Sequence, residues 1–246
     1  MRFVDSHLHL QEGEAANSLA LANAMGIQLF TCGVDRETSF VALSQAEAAP
    51  KTVKAFVGVH PSEVLREETS LTWLEPALRR ASGAGEIGLD PKYSAKDAGS
   101  AQTKAFLTQL GAAQSAERPV QVHSRDAERE CLDALGGFSL GKVLMHWFQS
   151  EPLLQEAVDR GYFVSFGPSI IHSKKLQRLA LRCPHDQALT ETDSPVAFGA
   201  LGGVKGPSLV PSVVFKLSEL WKEGFEDTRE VLSGNAARFL GPSEKG

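Results

Sequence analysis

Cysteine is scarce: a chain of 246 residues carries three, Cys32, Cys131 and Cys183. They are odd in number, far apart and in no C-x-x-C pair, which excludes a disulfide framework. They read as free thiols of a reducing compartment. Long apolar runs are missing too, none approaching the roughly 18 residues of a membrane span. Nor is there an excess of basic residues. The formal charge of −5 argues against a broadly cationic nucleic-acid surface, although ions held in a cleft can neutralise phosphates locally. The N-terminus enters an apolar strand at once, with no room for the charged and apolar regions of a leader. A cytoplasmic protein without membrane contact is expected.

Hydrophobic content of 42% and charged content of 22% are ordinary globular values. What is present is a rhythm. A short apolar run bounded by turn signals returns eight times, each time followed by a segment of helical character. The runs are Arg2–Val4, Ile27–Cys32, Val53–Val59, Glu86–Asp90, Val120–His123, Val143–His146, Tyr162–Phe166 and Ala188–Asp193. Between them, Asn17–Met25 has helical character, and Ala127, Cys131, Leu132 and Leu135 make an apolar stripe. Ser150 is placed to cap a helix that ends at Gly161, and Asp227 with Glu230 reads as a capping box. Without a linker or low-complexity break, the alternation predicts a single-domain α/β chain over residues 1–246, a (β/α)8 TIM barrel. One connection is unusual: Val196–Pro211, after the eighth strand, is rich in Gly and Pro.

The chemistry begins with Asp5-Ser6-His7-Leu8-His9. Side chains repeat with period two on a strand, so His7 and His9 share a face and can hold a divalent metal. In a barrel of this kind the active site lies at the C-terminal strand ends. His60, Glu86, His123, His146 and Asp193 fall at or near the ends of later strands. Five of the seven histidines therefore project toward one rim. His172 and His185 read as surface and receive no role. Four imidazoles and two carboxylates, with no thiolate, exceed what one tetrahedral zinc takes. They suit two divalent ions about 3.5–4 Å apart, with Zn, Mg and Mn all open. Metal-assisted hydrolysis is the reaction class that follows.

Five motifs now stand in order: Asp5-Ser6-His7-Leu8-His9, Gly58-Val59-His60-Pro61, Glu86-Ile87-Gly88-Leu89-Asp90, His123-Ser124-Arg125-Asp126-Ala127 and Glu191-Thr192-Asp193-Ser194-Pro195. With the tail Asn235-Ala236-Ala237-Arg238-Phe239, the chain resembles the TatD family of metal-dependent deoxyribonucleases, within the amidohydrolase-like barrels. The resemblance implies that His7, His9, Glu86, His123, His146 and Asp193 ligate two metals, Glu86 bridging. It also implies that Asp193 orients or deprotonates the attacking water and that His60 touches substrate. Catalytic roles thus fall to Asp193, Glu86 and His60. Two stretches depart from the family. Its usual His-Cys-Phe-Ser-Gly reads His146-Trp147-Phe148-Gln149-Ser150 here, and its Arg-Gly-Lys and Asn-Glu-Pro stretch is replaced by Val204-Lys205-Gly206-Pro207-Ser208.

Beyond the ligands, Arg125 near the start of a helix is expected to meet a substrate phosphate, or else to pair with Glu128 or Glu191. Trp147 and Phe148 follow a ligand; one can stack a base while the other packs inside. Asp90 is placed to accept from a ligand histidine. Cys32 reads as an inert buried thiol, and Lys205 as solvated. No base is placed to make Ser6 or Ser124 a nucleophile. The expected activity is phosphodiester hydrolysis, by the resemblance from the 3′ end of single-stranded DNA. Hydrolysis of an ester or amide, such as an aminoacyl-tRNA ester or a lactone, uses the same ligands, and a metal-binding scaffold without turnover is the remaining alternative.

Overall fold

Along most of the short apolar runs, alternate residues fall into two separate buried clusters, and that alternation builds the fold. The computed structural model describes residues 2–10, 15–66, 71–93 and 98–241. Its strands are β1 (Phe3–Leu8), β2 (Ile27–Cys32), β3 (Val53–Val57), β4 (Gly83–Gly88), β5 (Val120–His123), β6 (Val143–Met145), β7 (Phe163–Phe166) and β8 (Ala188–Thr190). All pair in parallel and in sequence order. Side-chain and loop bonds draw β8 against β1: Thr190 Oγ1 donates to the Val4 carbonyl at 2.5 Å and Asp193 N to the His7 carbonyl at 2.9 Å. The result is the expected α/β TIM barrel in one domain.

The outward residues, such as Leu29, Val57, Val122, Met145 and Val164, pack under the helices. These are α1 (Ala15–Met25), α2 (Arg36–Ala48), α3 (Leu74–Leu78), α4 (Ala98–Ser115), α5 (Glu128–Leu135), α6 (Leu154–Asp159), α7 (Lys174–Arg182), α8 (Val210–Trp221) and α9 (Phe225–Leu240). The inward residues Val4, Phe30, Phe56, Leu144, Phe163 and Leu189 form a second cluster with Ala236 and Phe239 of α9. Phe56 and Phe239 stack at 5.9 Å, so α9 plugs the N-terminal end of the barrel. Two residues further along the same strands, the same face carries Cys32, His146, Ser165 and Glu191. The interior therefore turns from apolar to polar along its axis, and chemistry is confined to the C-terminal mouth.

Several boundaries differ from the sequence reading. β1 runs on through His7 to Leu8 instead of stopping at Val4, with His9 just past its end, and β4 begins at Gly83 rather than Glu86. The Gly-Ala-Gly start of β4 has no apolar bulk because its neighbours leave none: a Cβ at Gly83 would lie 2.3 Å from Phe56. Ser150 caps nothing, since α6 starts at Leu154 without a side-chain cap. Asp227 lies inside α9, whose N-cap is Gly224, so the expected capping box with Glu230 does not form. A capping box does form at α2, where Asp35 Oδ1 accepts from Thr38 N at 2.8 Å.

Candidate metal centre

Backbone irregularities at the strand ends aim the polar side chains inward. The register of β1 against β2 shifts between Asp5 and Leu8. Asp193 takes a left-handed φ of 50°, uncommon for a non-glycine residue, and Trp147 one of 42°. At Gly88, φ is 150° and a Cβ would sit 1.9 Å from the His123 carbonyl, so only glycine lets β4 and β5 approach here.

Glu86 occupies the middle, 3% exposed. Its Oε2 lies 3.4 Å from His7 Nε2 and 3.3 Å from His9 Nε2. Its Oε1 lies 2.6 Å from His123 Nδ1 and 3.7 Å from both His146 Nε2 and His60 Nε2. Asp193 Oδ1 stands 3.6 Å from both His7 and His9, and Oδ2 4.0 Å from His146. One carboxylate thus faces two separate pairs of imidazoles. The geometry suits cations: His7 Nε2 is buried with no hydrogen-bond partner among the described residues. Among the described residues, three sets of donors each lie within 4.8 Å of one another: His7, His146 and Asp193; His7, His9 and Glu86; and His60, Glu86 and His123.

Each of the four imidazoles has its other nitrogen occupied by the protein. His7 Nδ1 donates to Gln121 Oε1 at 2.6 Å, and His9 Nδ1 to the Cys32 carbonyl at 2.9 Å. His123 Nε2 donates to Asp90 Oδ2 and His146 Nδ1 to Glu191 Oε2, both at 2.7 Å. These outward bonds set the tautomer and leave the inner nitrogen for a ligand bond. His60 is built the other way. Its Nδ1 accepts from Ser62 N at 3.1 Å, so the neutral ring carries its proton on Nε2, toward the centre. Burial pulls its imidazolium down to about 4. At His9 and His123 burial has the same sense but is outweighed: hydrogen bonds to Asp193 and Glu86 hold His9 at about 10, and Glu86 and Asp90 hold His123 at about 9. Burial pushes the Asp5 carboxyl, bonded to Thr192, up to about 7.

Above the centre opens a cleft of about 910 Å³. Arg125 and Trp147, expected to bind substrate, both line it, together with His9, His60, His123 and Asp193. Phe148 is the core residue of its pair, 1% exposed. Arg125 lies ahead of α5 rather than on it, and its Nε pairs with Asp90 Oδ2 at 3.0 Å instead of with the carboxylates anticipated. Cys32 is buried and donates to Gln121 Oε1 at 3.3 Å. His172 follows a short turn, and His185 pairs with Glu223 and stacks on Trp221. Lys205 is exposed.

Gln121, and Glu191 in its place behind His146, escaped the sequence reading, as did the cleft cations Arg66, Lys92 and Lys175. A signal existed for the first two: each sits two residues before a site residue, and period two puts it on the same strand face.

The comparisons with known proteins agree with this geometry. The family model described as "TatD related DNase" matches residues 4–241. Deoxyribonuclease TATDN3 of Homo sapiens is 30% identical over 78% of this chain and 77% of its own. An uncharacterised metal-dependent hydrolase, YabD of Bacillus subtilis, is 26% identical over 96% of this chain and 98% of its own. Among solved structures, the TatD homologue YjjV of Escherichia coli superposes with a TM-score of 0.86 at 26% identity, covering 97% of each chain. Among the described residues, no helix is long and apolar enough to cross a membrane. A match over nearly the whole chain settles the relationship: this protein belongs to the TatD family of metal-dependent hydrolases.

Proposed function

We propose that the protein is a 3′→5′ exodeoxyribonuclease acting on single-stranded DNA at a site for two divalent ions. The observation that carries the reading is Glu86, whose two oxygens face His7 with His9 on one side and His123 with His146 on the other. Asp193 completes the ligand set. Two divalent ions, Zn, Mg or Mn, supply Lewis acidity there when bound, acidifying water and polarising a phosphoryl oxygen. The name of the human relative, a deoxyribonuclease, supports DNA as the substrate. The free, buried thiols support a reducing, cytoplasmic setting.

The chain's own residues then have separable tasks. Asp193, its carboxyl held below the ordinary range because neighbouring imidazoles outweigh its burial, orients the attacking water and takes its proton. His60 offers its Nε2–H to a phosphoryl or leaving oxygen. Arg125, half exposed beside Asp90, and Lys92 hold the phosphate flanking the scissile bond. Trp147 provides a face for the terminal base.

A time course on end-labelled single-stranded DNA with Mg²⁺ or Mn²⁺ tests the reading. Stepwise shortening from the 3′ end, abolished by chelator, is expected. Intact DNA beside a protein that still holds two ions would transfer the reading to ester or amide hydrolysis.

A further inference from the structure

The four imidazoles around Glu86 and Asp193 differ in what stands behind them. His7 and His9 donate to neutral acceptors, Gln121 and the Cys32 carbonyl. His123 and His146 donate to carboxylates, Asp90 and Glu191, which are 0% and 1% exposed. The inner carboxylates are distributed in the opposite sense. Glu86 Oε2 and Asp193 Oδ1 both lie within 3.6 Å of His7 and His9. On the other side Glu86 Oε1 faces His123 and His146 almost alone, since Asp193 comes no closer to His146 than 4.0 Å. The half with fewer inner carboxylates is therefore the half with anions one imidazole away.

Glu191 makes the case most clearly. Its Oε2 accepts from His146 Nδ1 and from Ser165 Oγ at 2.5 Å, while Oε1 is buried with no hydrogen-bond partner among the described residues. Among those residues, its ion-pair partner is His146 and no lysine or arginine. A buried carboxylate is costly unless a positive charge lies nearby. A dication beyond the His146 ring would be that charge, and the carboxylate in turn makes the imidazole a stronger donor.

Resting on the two-ion reading, we propose that Glu191 is a positioning residue that supplies the charge missing from the His123–His146 half, with Asp90, whose carboxylate is shared with Arg125, as the weaker second. That half alone depends on outer anions to keep its ion. Glu191→Gln separates charge from orientation, because the amide oxygen still accepts from His146 Nδ1 and the negative charge is gone.

The experiment is a Mn²⁺ titration of the chelator-stripped full chain, followed by equilibrium dialysis and electron paramagnetic resonance. The unsubstituted protein should take two ions and show a spin-coupled pair. Glu191→Gln should bind the first ion as before and the second about 10–100-fold more weakly, leaving an uncoupled single-ion spectrum. Should Glu191→Gln fail to fold, Asp90→Asn, whose anion is shared with Arg125, is expected to weaken the second ion alone and by less, and unchanged affinities or equal weakening of both ions there decides against the inference. Unchanged affinities, or equal weakening of both ions, would overturn the inference while leaving the two-ion reading intact. A single ion in the unsubstituted protein would overturn both.

Discussion

Glu86 Oε1 lies 2.6 Å from His123 Nδ1, while the other oxygen of the same carboxylate points away from that ring, toward the first histidine pair. No other side chain of the centre faces both pairs so directly. Glu86→Gln should therefore lower metal content and abolish hydrolysis, because a neutral amide bridges two cations poorly. Metal analysis of the purified variant beside an activity assay checks this. Full metal occupancy would show that Glu86 does not bridge.

Asp193 is held by its left-handed backbone and its bond to the His7 carbonyl, which turns the carboxylate toward the first pair. Asp193→Asn should reduce kcat by at least about 10²-fold, the low end for losing a positioned general base. Near-normal turnover would move the water-activating role elsewhere.

Ion uptake should release protons. With the metal-free rings of His9 and His123 at about 10 and about 9, both are charged at pH 7, and a ligand imidazole must be neutral. Titration calorimetry in two buffers of different ionisation enthalpy measures the release, and its absence would contradict the charge states. Both values lie above the ordinary 6.5. The stability these pairs lend the metal-free fold is therefore complete below about pH 6.5 and lost as pH rises through 9 to 10. In chelator the melting temperature should fall over that window.

Trp147 holds a φ of 42°, and its ring lies 6.3 Å from Phe198, beyond the eighth strand. Phe198 N in turn donates to the Val204 carbonyl at 3.3 Å, so the two departures from the family pattern are linked through Phe198. Asparagine tolerates a left-handed backbone better than a bulky ring does. Trp147→Asn should keep or raise the melting temperature, yet raise KM for single-stranded DNA about 5- to 150-fold, the loss of 1–3 kcal/mol of stacking. An oligonucleotide lacking its terminal base should show no such loss. A lower melting temperature with unchanged KM would make Trp147 structural.

The sequence by itself determined the eight apolar runs, the barrel they form and the residues gathered at its mouth. Runs such as Ile27–Cys32 and Val120–His123 carry their own period and end where their ladders end. Tertiary structure decided what no local pattern encodes. β4 starts at two glycines whose size is dictated by Phe56 and Gln121, on other strands. Arg125 pairs with Asp90, 35 residues away. Glu191 was legible as part of a motif, but only the barrel's closure brings it within 2.7 Å of His146 and so gives it a task. Hydrophobic period is a property of neighbours in the chain, whereas the partner behind each imidazole belongs to another strand and follows from how the barrel closes.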